Sequence, residues 1–445
     1  MNIIKISVLA GISLLSTSSY AANWLSLQGT EPASSAPRAK VWGFIQPEYQ
    51  STDGGTLPAG TPFAGQIMSP NIIRPDNKST ETFNIRRARI GVRGAGFPLD
   101  DKVNYFFLAE FGRNGITKLG GTGVALTDAS ITLNHIPGAR IRVGQFKTPG
   151  AEEGLAAIHV FNYNNFTNVT NQMLLERFTD GDGSLRDGKP IGAGGLTGTA
   201  NGINGSVSAF RDQGIQVFNT FKVNNWEHSY AVMYGNGNGI NRADNNDDKE
   251  TYLYWSSELV YGGKGARREG LKMFAWNQSG TRTLTTSGAG DYDRDRTGLG
   301  VTFQKDRYRA AAEYITADGM IFNGSDLGAI PGASNNAGDN TADINILTED
   351  KADGYYVDFG YKVLPKLELD IRYDVLNRGT EVAANERKFD TVTLGAQYFF
   401  NKKTRVTFNY EIRNQEAPNL ASTHNANKIA NSLDDLMSVS FLAIF

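Results

Sequence analysis

The sequence contains no cysteine and only four histidines among its 445 residues. Without thiols the chain has no thiolate metal site, cysteine nucleophile or redox pair, and so few histidines argue against a transition-metal centre. The chain also lacks a run of about 20 apolar residues, the length that a membrane-spanning helix needs. Its net charge of -2 excludes the basic surplus that nucleic-acid binding requires. We predict no cofactor, no metal site and no nucleic-acid partner.

The N-terminus is predicted to be a signal peptide over residues 1–21. Lys5 precedes an apolar run over residues 6–15, and the small residues at the end of the segment suit a cleavage site. The apolar run is too short to anchor the chain in a membrane. We therefore expect an exported protein, with a polar lead over residues 22–38 followed by one domain over residues 39–445.

Apolar side chains alternate through the last nine residues, where they share one face of an extended strand: Met437, Val439, Phe441, Ala443 and Phe445. Two serines take the other face. An apolar face toward lipid, a polar face toward water and an aromatic residue at the membrane boundary are typical of a transmembrane β-barrel. We predict that this strand closes the barrel against a strand that begins near Val41.

Four further pairs of alternating segments are joined by short turns: 85–94 with 102–111, 128–135 with 139–147, 355–362 with 366–375, and 392–400 with 404–413. Long polar loops separate these hairpins. Short turns at one end and long loops at the other are typical of outer-membrane barrels, and a chain of this length accommodates about 16 strands around an aqueous lumen. The predicted fold is therefore an all-β, antiparallel transmembrane barrel of about 16 strands, with periplasmic turns and extracellular loops.

Arginines recur on the predicted lumen face of two hairpins: Arg87, Arg89, Arg93, Arg140 and Arg142. Their neighbours on the opposite face are apolar and suit the lipid side. Fixed positive charges along a pore favour anions, and a guanidinium group can bind an oxyanion with two hydrogen bonds. An alternative stays open, since Glu110 falls on the same face and could oppose the arginines across a constriction. That arrangement would indicate a general or carboxylate-permeable porin with a transverse charge field.

Two segments resemble the phosphate-selective porin O and P family of outer-membrane porins. Residues 83–94 read FNIRRARIGVRG and residues 140–149 read RIRVGQFKTP, followed by Glu152-Glu153 and later by Leu175-Glu176-Arg177. The resemblance implies a homotrimer of barrels with about 16 strands each. It also implies that the third loop, residues 148–190, folds into the lumen and forms the constriction.

The candidate constriction residues in that loop carry both signs of charge: Glu152, Glu153, Glu176, Arg177, Arg186 and Lys189. Residues 148–188 contain no lysine, and the three glutamates would weaken binding of a phosphate dianion unless they are paired. We therefore predict passive diffusion of small hydrophilic solutes, leaning toward anions such as phosphate or other oxyanions.

Other functions have weaker support in the sequence. His135 has no serine at a nucleophile spacing beside it, which argues against an outer-membrane lipase. Acidic runs at residues 244–248 and 291–295 lack the glycine and glutamate that a calcium loop needs. A receptor or adhesin stays open, although charged inward faces without a plug-sized domain favour an open channel. We expect no enzymatic activity, and we expect the outer membrane of a Gram-negative bacterium, with its lipid and lipopolysaccharide, as the surroundings.

Overall fold

The computed structural model of the protein describes most of the chain. The described residues are 24–27, 38–53, 56–61, 64–65, 80–96, 100–114, 116–117, 123–175, 185–186, 189–190, 208–263, 267–284, 290–323 and 345–445. The predicted signal peptide, residues 1–21, lies outside them.

Sixteen antiparallel strands form one closed barrel, in which each strand pairs with the next and the first pairs with the last. They are β1 Lys40–Thr52, β2 Glu81–Ala95, β3 Val103–Glu110, β4 Ala125–Ile136, β5 Ala139–Lys147, β6 Arg211–Val223, β7 Trp226–Gly235, β8 Glu250–Gly262, β9 Glu269–Leu284, β10 Gly290–Lys305, β11 Tyr308–Asp318, β12 Lys351–Leu364, β13 Leu367–Arg378, β14 Arg387–Asn401, β15 Thr404–Glu416 and β16 Leu436–Ile444. The predicted barrel of about 16 strands is confirmed.

Short helices and hairpins occupy the connections between strands. The helices are α1 Trp24–Leu27, α2 Glu152–Leu155, α3 Asn168–Met173 and α4 Asn425–Ala430. Two small hairpins pair Leu185–Arg186 with Lys189–Pro190 and Ile321–Asn323 with Asn345–Leu347. In the part of the chain that the structure describes, no helix has both the length and the apolar character needed to cross a membrane.

Side chains alternate between the outer and the inner wall along the strands. On β12, Val357 is 52% exposed whereas Asp358 is 6% exposed, and on β16, Phe441 is 39% exposed whereas Ser440 is 2% exposed. The outer wall is apolar because a charge facing lipid would be strongly destabilising, whereas the inner wall can be polar. The predicted closing strand has the predicted partner, since β16 pairs with β1.

Short turns and the C-terminus lie at the same end of the barrel. The turns include residues 137–138, 224–225, 306–307, 365–366 and 402–403. Phe445 follows β16 at this end, and its backbone N–H donates to the Gly43 carbonyl. Because outer-membrane barrels place short turns in the periplasm and long loops outside, we assign this end to the periplasm. The longest connection, residues 148–210, leaves β5 at the opposite end.

An apolar cluster inside the barrel joins the longest connection to the wall. Its buried members include Trp24, Leu25, Leu155, Phe166, Val169, Met173, Phe210, Phe218, Phe274, Trp276, Leu376 and Phe389. Removing this surface from water stabilises residues 148–175 inside the lumen. Residues 22–38 were expected to form a polar lead, but α1 within this segment is buried through two apolar side chains. There Trp24 and Leu25 join the cluster, while residues 28–37 lie outside the described part.

Candidate functional site

Residues 148–175, here called the infolded loop, cross the lumen from β5 to the opposite wall. The Tyr163 hydroxyl donates to Oδ1 of Asp358 on β12 at 2.5 Å. The Asn164 backbone N–H donates to Oδ1 of Asn409 on β15 at 2.7 Å. These contacts join the loop to the wall on the far side of the lumen.

Buried charges hold the infolded loop in place. The Lys147 Nζ donates to the carbonyl oxygens of Gly154 at 2.8 Å and Ala156 at 2.5 Å. Glu153 forms an ion pair with Arg372 of β13 at 3.0 Å, and its other oxygen accepts hydrogen bonds from Thr167 at the start of α3. A buried ion pair is stable only when its remaining lone pairs and protons are satisfied, and here the loop supplies those partners.

The arginine-rich strand β2 faces the lumen with one more arginine than alternation predicts. The pairing of β1 with β2 shifts register at Gln46/Pro47, so Arg86 is an extra residue and both Arg86 and Arg87 are buried. A bulge of this kind re-aims a side chain. Arg86 pairs with Glu48, and Arg87 donates to Oε1 of Gln46 at 2.8 Å. The sequence did not predict that Arg86 faces the lumen, because strict alternation would turn its side chain toward lipid.

Glu110 contacts Arg89 on the neighbouring strand and does not oppose it across the pore. The Arg89 Nε lies 2.6 Å from Oε2 of Glu110, which has no exposed surface. Its oxygens also accept hydrogen bonds from the backbone N–H groups of Ala88 at 2.9 Å and Gly112 at 2.8 Å. Glu110 therefore fixes the end of β3, which differs from its expected role as one side of a transverse field.

The other candidate arginines differ in accessibility. Arg93 is half-buried, and its guanidinium carbon lies 5.4 Å from the centre of the Trp42 ring. Arg140 is half-buried at the periplasmic end of β5. Arg142 is almost fully buried, with its guanidinium 4.5 Å from the Phe218 ring and 3.3 Å from the Leu25 carbonyl oxygen. Because α1 covers Arg142, this residue does not face open solvent.

The structure pairs the two described glutamates of the candidate constriction. Glu152 accepts hydrogen bonds from the Trp24 indole N–H at 2.9 Å and from Lys272 at 2.5 Å, and Glu153 is held by Arg372. Glu176 and Arg177 lie outside the described residues. Arg186 and Lys189 belong to a small hairpin of which only the backbone is described.

Three cavities are connected by shared lining residues and form a route through the lumen. The outer cavity lies nearest the extracellular loops, the aromatic cavity lies against β1 to β3, and the vestibule opens at the periplasmic turns. Leu155 and Arg211 line both the outer and the aromatic cavity, and His159 lines both the aromatic cavity and the vestibule. Their empty volumes are about 410, 510 and 1370 Å³.

Cations outnumber carboxylates along this route. In the outer cavity Arg211, Arg282 and Arg294 accompany Glu250, and in the aromatic cavity Arg89, Arg93, Lys147 and Arg211 accompany Asp128. The vestibule is lined by Arg267, Lys362, Lys366, Lys402, Lys403 and Arg405, and none of the described residues lining it is acidic. The vestibule was not predicted from the sequence. Basic residues in the short turns, as in Lys402-Lys403, could have indicated it.

A fourth cavity, here called the mixed cavity, lies against β8 to β13, shares Val160 and Arg267 with the vestibule, and is nearly neutral. Its charged lining residues are Arg267, Arg268, Lys272, Arg309, Arg372, Glu152, Glu153, Glu258 and Asp358. Arg309 contacts Asp358, Glu368 at 3.1 Å and Asp370 at 2.6 Å, so carboxylates surround its charge. Among the described residues, no group of three or more His, Asp or Glu side chains could hold a metal ion.

A closed barrel of sixteen strands with a polar lumen and an infolded loop defines an outer-membrane porin. The chain belongs to the family of phosphate-selective porins O and P, whose sequence profile matches residues 73–430. The predicted family and the predicted location in the Gram-negative outer membrane are confirmed. Members of this family are channels rather than enzymes.

Solved structures of porins share the fold at low sequence identity. The anion-selective porin from Comamonas acidovorans matches with 12% identity and a TM-score of 0.52, over 92% of this chain and 100% of its own. OprB from Pseudomonas putida matches with 8% identity and a TM-score of 0.53, over 92% and 94%. A loop-deletion mutant of OmpT from Vibrio cholerae matches with 10% identity and a TM-score of 0.52, over 92% and 99%. Curated protein sequences contain no significant match.

Replacing Arg372 with alanine should loosen the infolded loop. The change leaves Glu153 buried without its cation, which costs about 3–5 kcal/mol. We expect a larger and noisier single-channel current in planar bilayers. Lys388→Ala is the matched control, because its pair with Glu416 at 3.4 Å is exposed and contributes little. Wild-type current and noise in Arg372→Ala would show that this ion pair does not hold the loop.

Proposed function

We propose that the protein carries small hydrophilic anions across the outer membrane by passive diffusion through the outer cavity, the aromatic cavity and the vestibule. The observation that supports this proposal is the excess of cations over carboxylates in all three cavities. Fixed positive charge in a narrow aqueous pore attracts anions and repels cations. Several weak sites in succession allow an anion to enter and also to leave.

The contacts of the cations favour monovalent anions over phosphate in this proposal. Arg89 is paired with Glu110, Arg211 binds Asp128 at 2.9 Å, and Lys147 is hydrogen-bonded to backbone carbonyls. A phosphate dianion would have to lose more hydration than these engaged cations and apolar walls can replace. The name of the similar Comamonas acidovorans porin, which describes it as anion-selective, agrees with an anion preference.

The mixed cavity favours a second function, general diffusion of neutral or zwitterionic solutes. Its cations and carboxylates are nearly equal in number and lie close together, as in the pairs of Arg268 with Glu258 at 2.5 Å and with Glu227 at 3.0 Å. Such a wall has little net field along the pore. A catalytic role is not part of the proposal, since His135, the histidine considered for it, contacts Asp100 in an exposed periplasmic turn.

Removing three lysines from the vestibule should reduce anion selectivity. The triple variant carries Lys366→Gln, Lys402→Gln and Lys403→Gln. These lysines are exposed, and their replacement removes three of the six cations that line the vestibule. We expect the chloride-to-potassium permeability ratio, measured from the reversal potential in a KCl gradient, to fall about twofold near 0.1 M salt and less near 1 M, where screening is stronger.

The matched control removes the same charge from the extracellular end. Lys249, Lys351 and Lys388 are each paired with a carboxylate there, and their replacement by glutamine should leave the permeability ratio unchanged. An equal effect of both triple variants would contradict the assignment of selectivity to the vestibule. A wild-type preference for potassium would contradict the proposed function itself.

We also propose a homotrimer surrounded by lipopolysaccharide, as the family resemblance implies. Native mass spectrometry of the detergent-extracted protein should give the mass of three chains, and the mass of one chain would contradict this assembly.

A further inference from the structure

The aromatic cavity has a continuous wall of rings. The Trp42 ring lies 6.4 Å from that of Phe44 and 6.0 Å from that of Phe106, measured between centroids. Trp24 of α1 and the apolar side chains of Leu155 and Ile158 line the same cavity. Rings at these separations interact favourably with one another and with a further flat ring placed among them.

Cations lie directly against these rings. The guanidinium carbon of Arg89 is 5.7 Å from the centre of the Phe44 ring, and that of Arg93 is 5.4 Å from the centre of the Trp42 ring. Asp128 is the one carboxylate among the described residues that line the cavity, and it is bound by Arg211 at 2.9 Å. The cavity therefore combines apolar surface with positive charge.

The indole N–H of Trp42 gives a second and independent indication of a ligand. This nitrogen is buried and has no hydrogen-bond acceptor among the described residues. A buried donor without an acceptor is costly, and an oxygen of a bound anion would satisfy it. The imidazole of His159, which lies 5.8 Å from the Trp42 ring, has its pKa lowered to about 3 by burial and then by nearby cations, Arg405 first. Neutral His159 and the cations make an apolar but electropositive environment.

We propose that the aromatic cavity is a binding site for aromatic carboxylates, small anions with a flat apolar ring. Their carboxylate lies near Arg89, Arg93 and the Trp42 N–H, and their ring lies among Trp42, Phe44 and Phe106. This inference rests on the proposed function, because it names the class of anion that the route prefers. The ring of such an anion gains from burial against apolar walls, whereas acetate and inorganic phosphate lack that ring.

The first test compares three anions on the full-length wild-type protein in planar bilayers. The reversal potential in a KCl gradient is measured first, and then benzoate, acetate and inorganic phosphate are titrated as blockers of the chloride current. We expect anion preference and half-block by benzoate at a concentration about tenfold or more below that of acetate, the factor that about 1.4 kcal/mol represents. Benzoate should also block at a lower concentration than phosphate.

The second test locates the site. Trp42→Phe keeps a ring but removes the N–H donor, and it should raise the half-block concentration of benzoate by about tenfold. The matched control is Trp255→Phe, since Trp255 is exposed on the outer wall, and it should leave benzoate block unchanged. If Trp42→Phe does not assemble, Phe106→Leu replaces it, with a weaker block expected from the loss of a ring.

The outcomes separate this inference from the proposed function. An anion-selective channel that benzoate and acetate block equally would overturn the inference and leave the proposed function intact. A cation-selective channel would overturn both. Strong benzoate block that is unaffected by Trp42→Phe and by Phe106→Leu would overturn the assignment to the aromatic cavity.

Discussion

Each strand of this barrel separates lipid from water, and this constraint determines where the charges of the protein lie. Apolar side chains cover the outer wall, so nearly every charge of a strand must enter the lumen. There the infolded loop reduces the space and excludes water, and a charge without a partner becomes costly. The result is a set of paired charges, with Glu153 and Arg372 joining the loop to the wall and Arg309 surrounded by three carboxylates.

The cavities beside the infolded loop differ in electrostatic character. Around the mixed cavity, against β8 to β13, the cations meet comparable numbers of carboxylates, and the cavity is nearly neutral. On the side of β2 to β6 the arginines and Lys147 meet fewer carboxylates, partly because Lys147 is held by backbone carbonyls of the loop. Net charge of the whole chain is therefore a poor guide to permeation, since the field along each route depends on local pairing.

The features that follow from the alternation of inward and outward side chains along a strand could be predicted from the sequence. These are the barrel, its closing strand against β1 and the inward face of the charged residues on β12 and β13, because lipid on one side imposes strict alternation. The Arg86 bulge could not be predicted, since one extra residue in a strand leaves no mark in the local pattern. The ion pairs of Glu152 with Lys272 and of Glu153 with Arg372 could not be predicted either, because only the closure of the barrel brings these residues together. Trp24 and Leu25 were expected to lie in a polar lead, because a segment so short shows no repeating pattern of apolar residues.

The proposed function requires that anions occupy the outer cavity, the aromatic cavity and the vestibule, and that cations are excluded from them. Anomalous diffraction from crystals soaked in bromide, and from others soaked in rubidium, would locate each ion within the lumen. We expect bromide peaks in at least two of the three cavities and no rubidium peak in any of them. Rubidium in those cavities, or bromide confined to the mixed cavity, would contradict the proposed function.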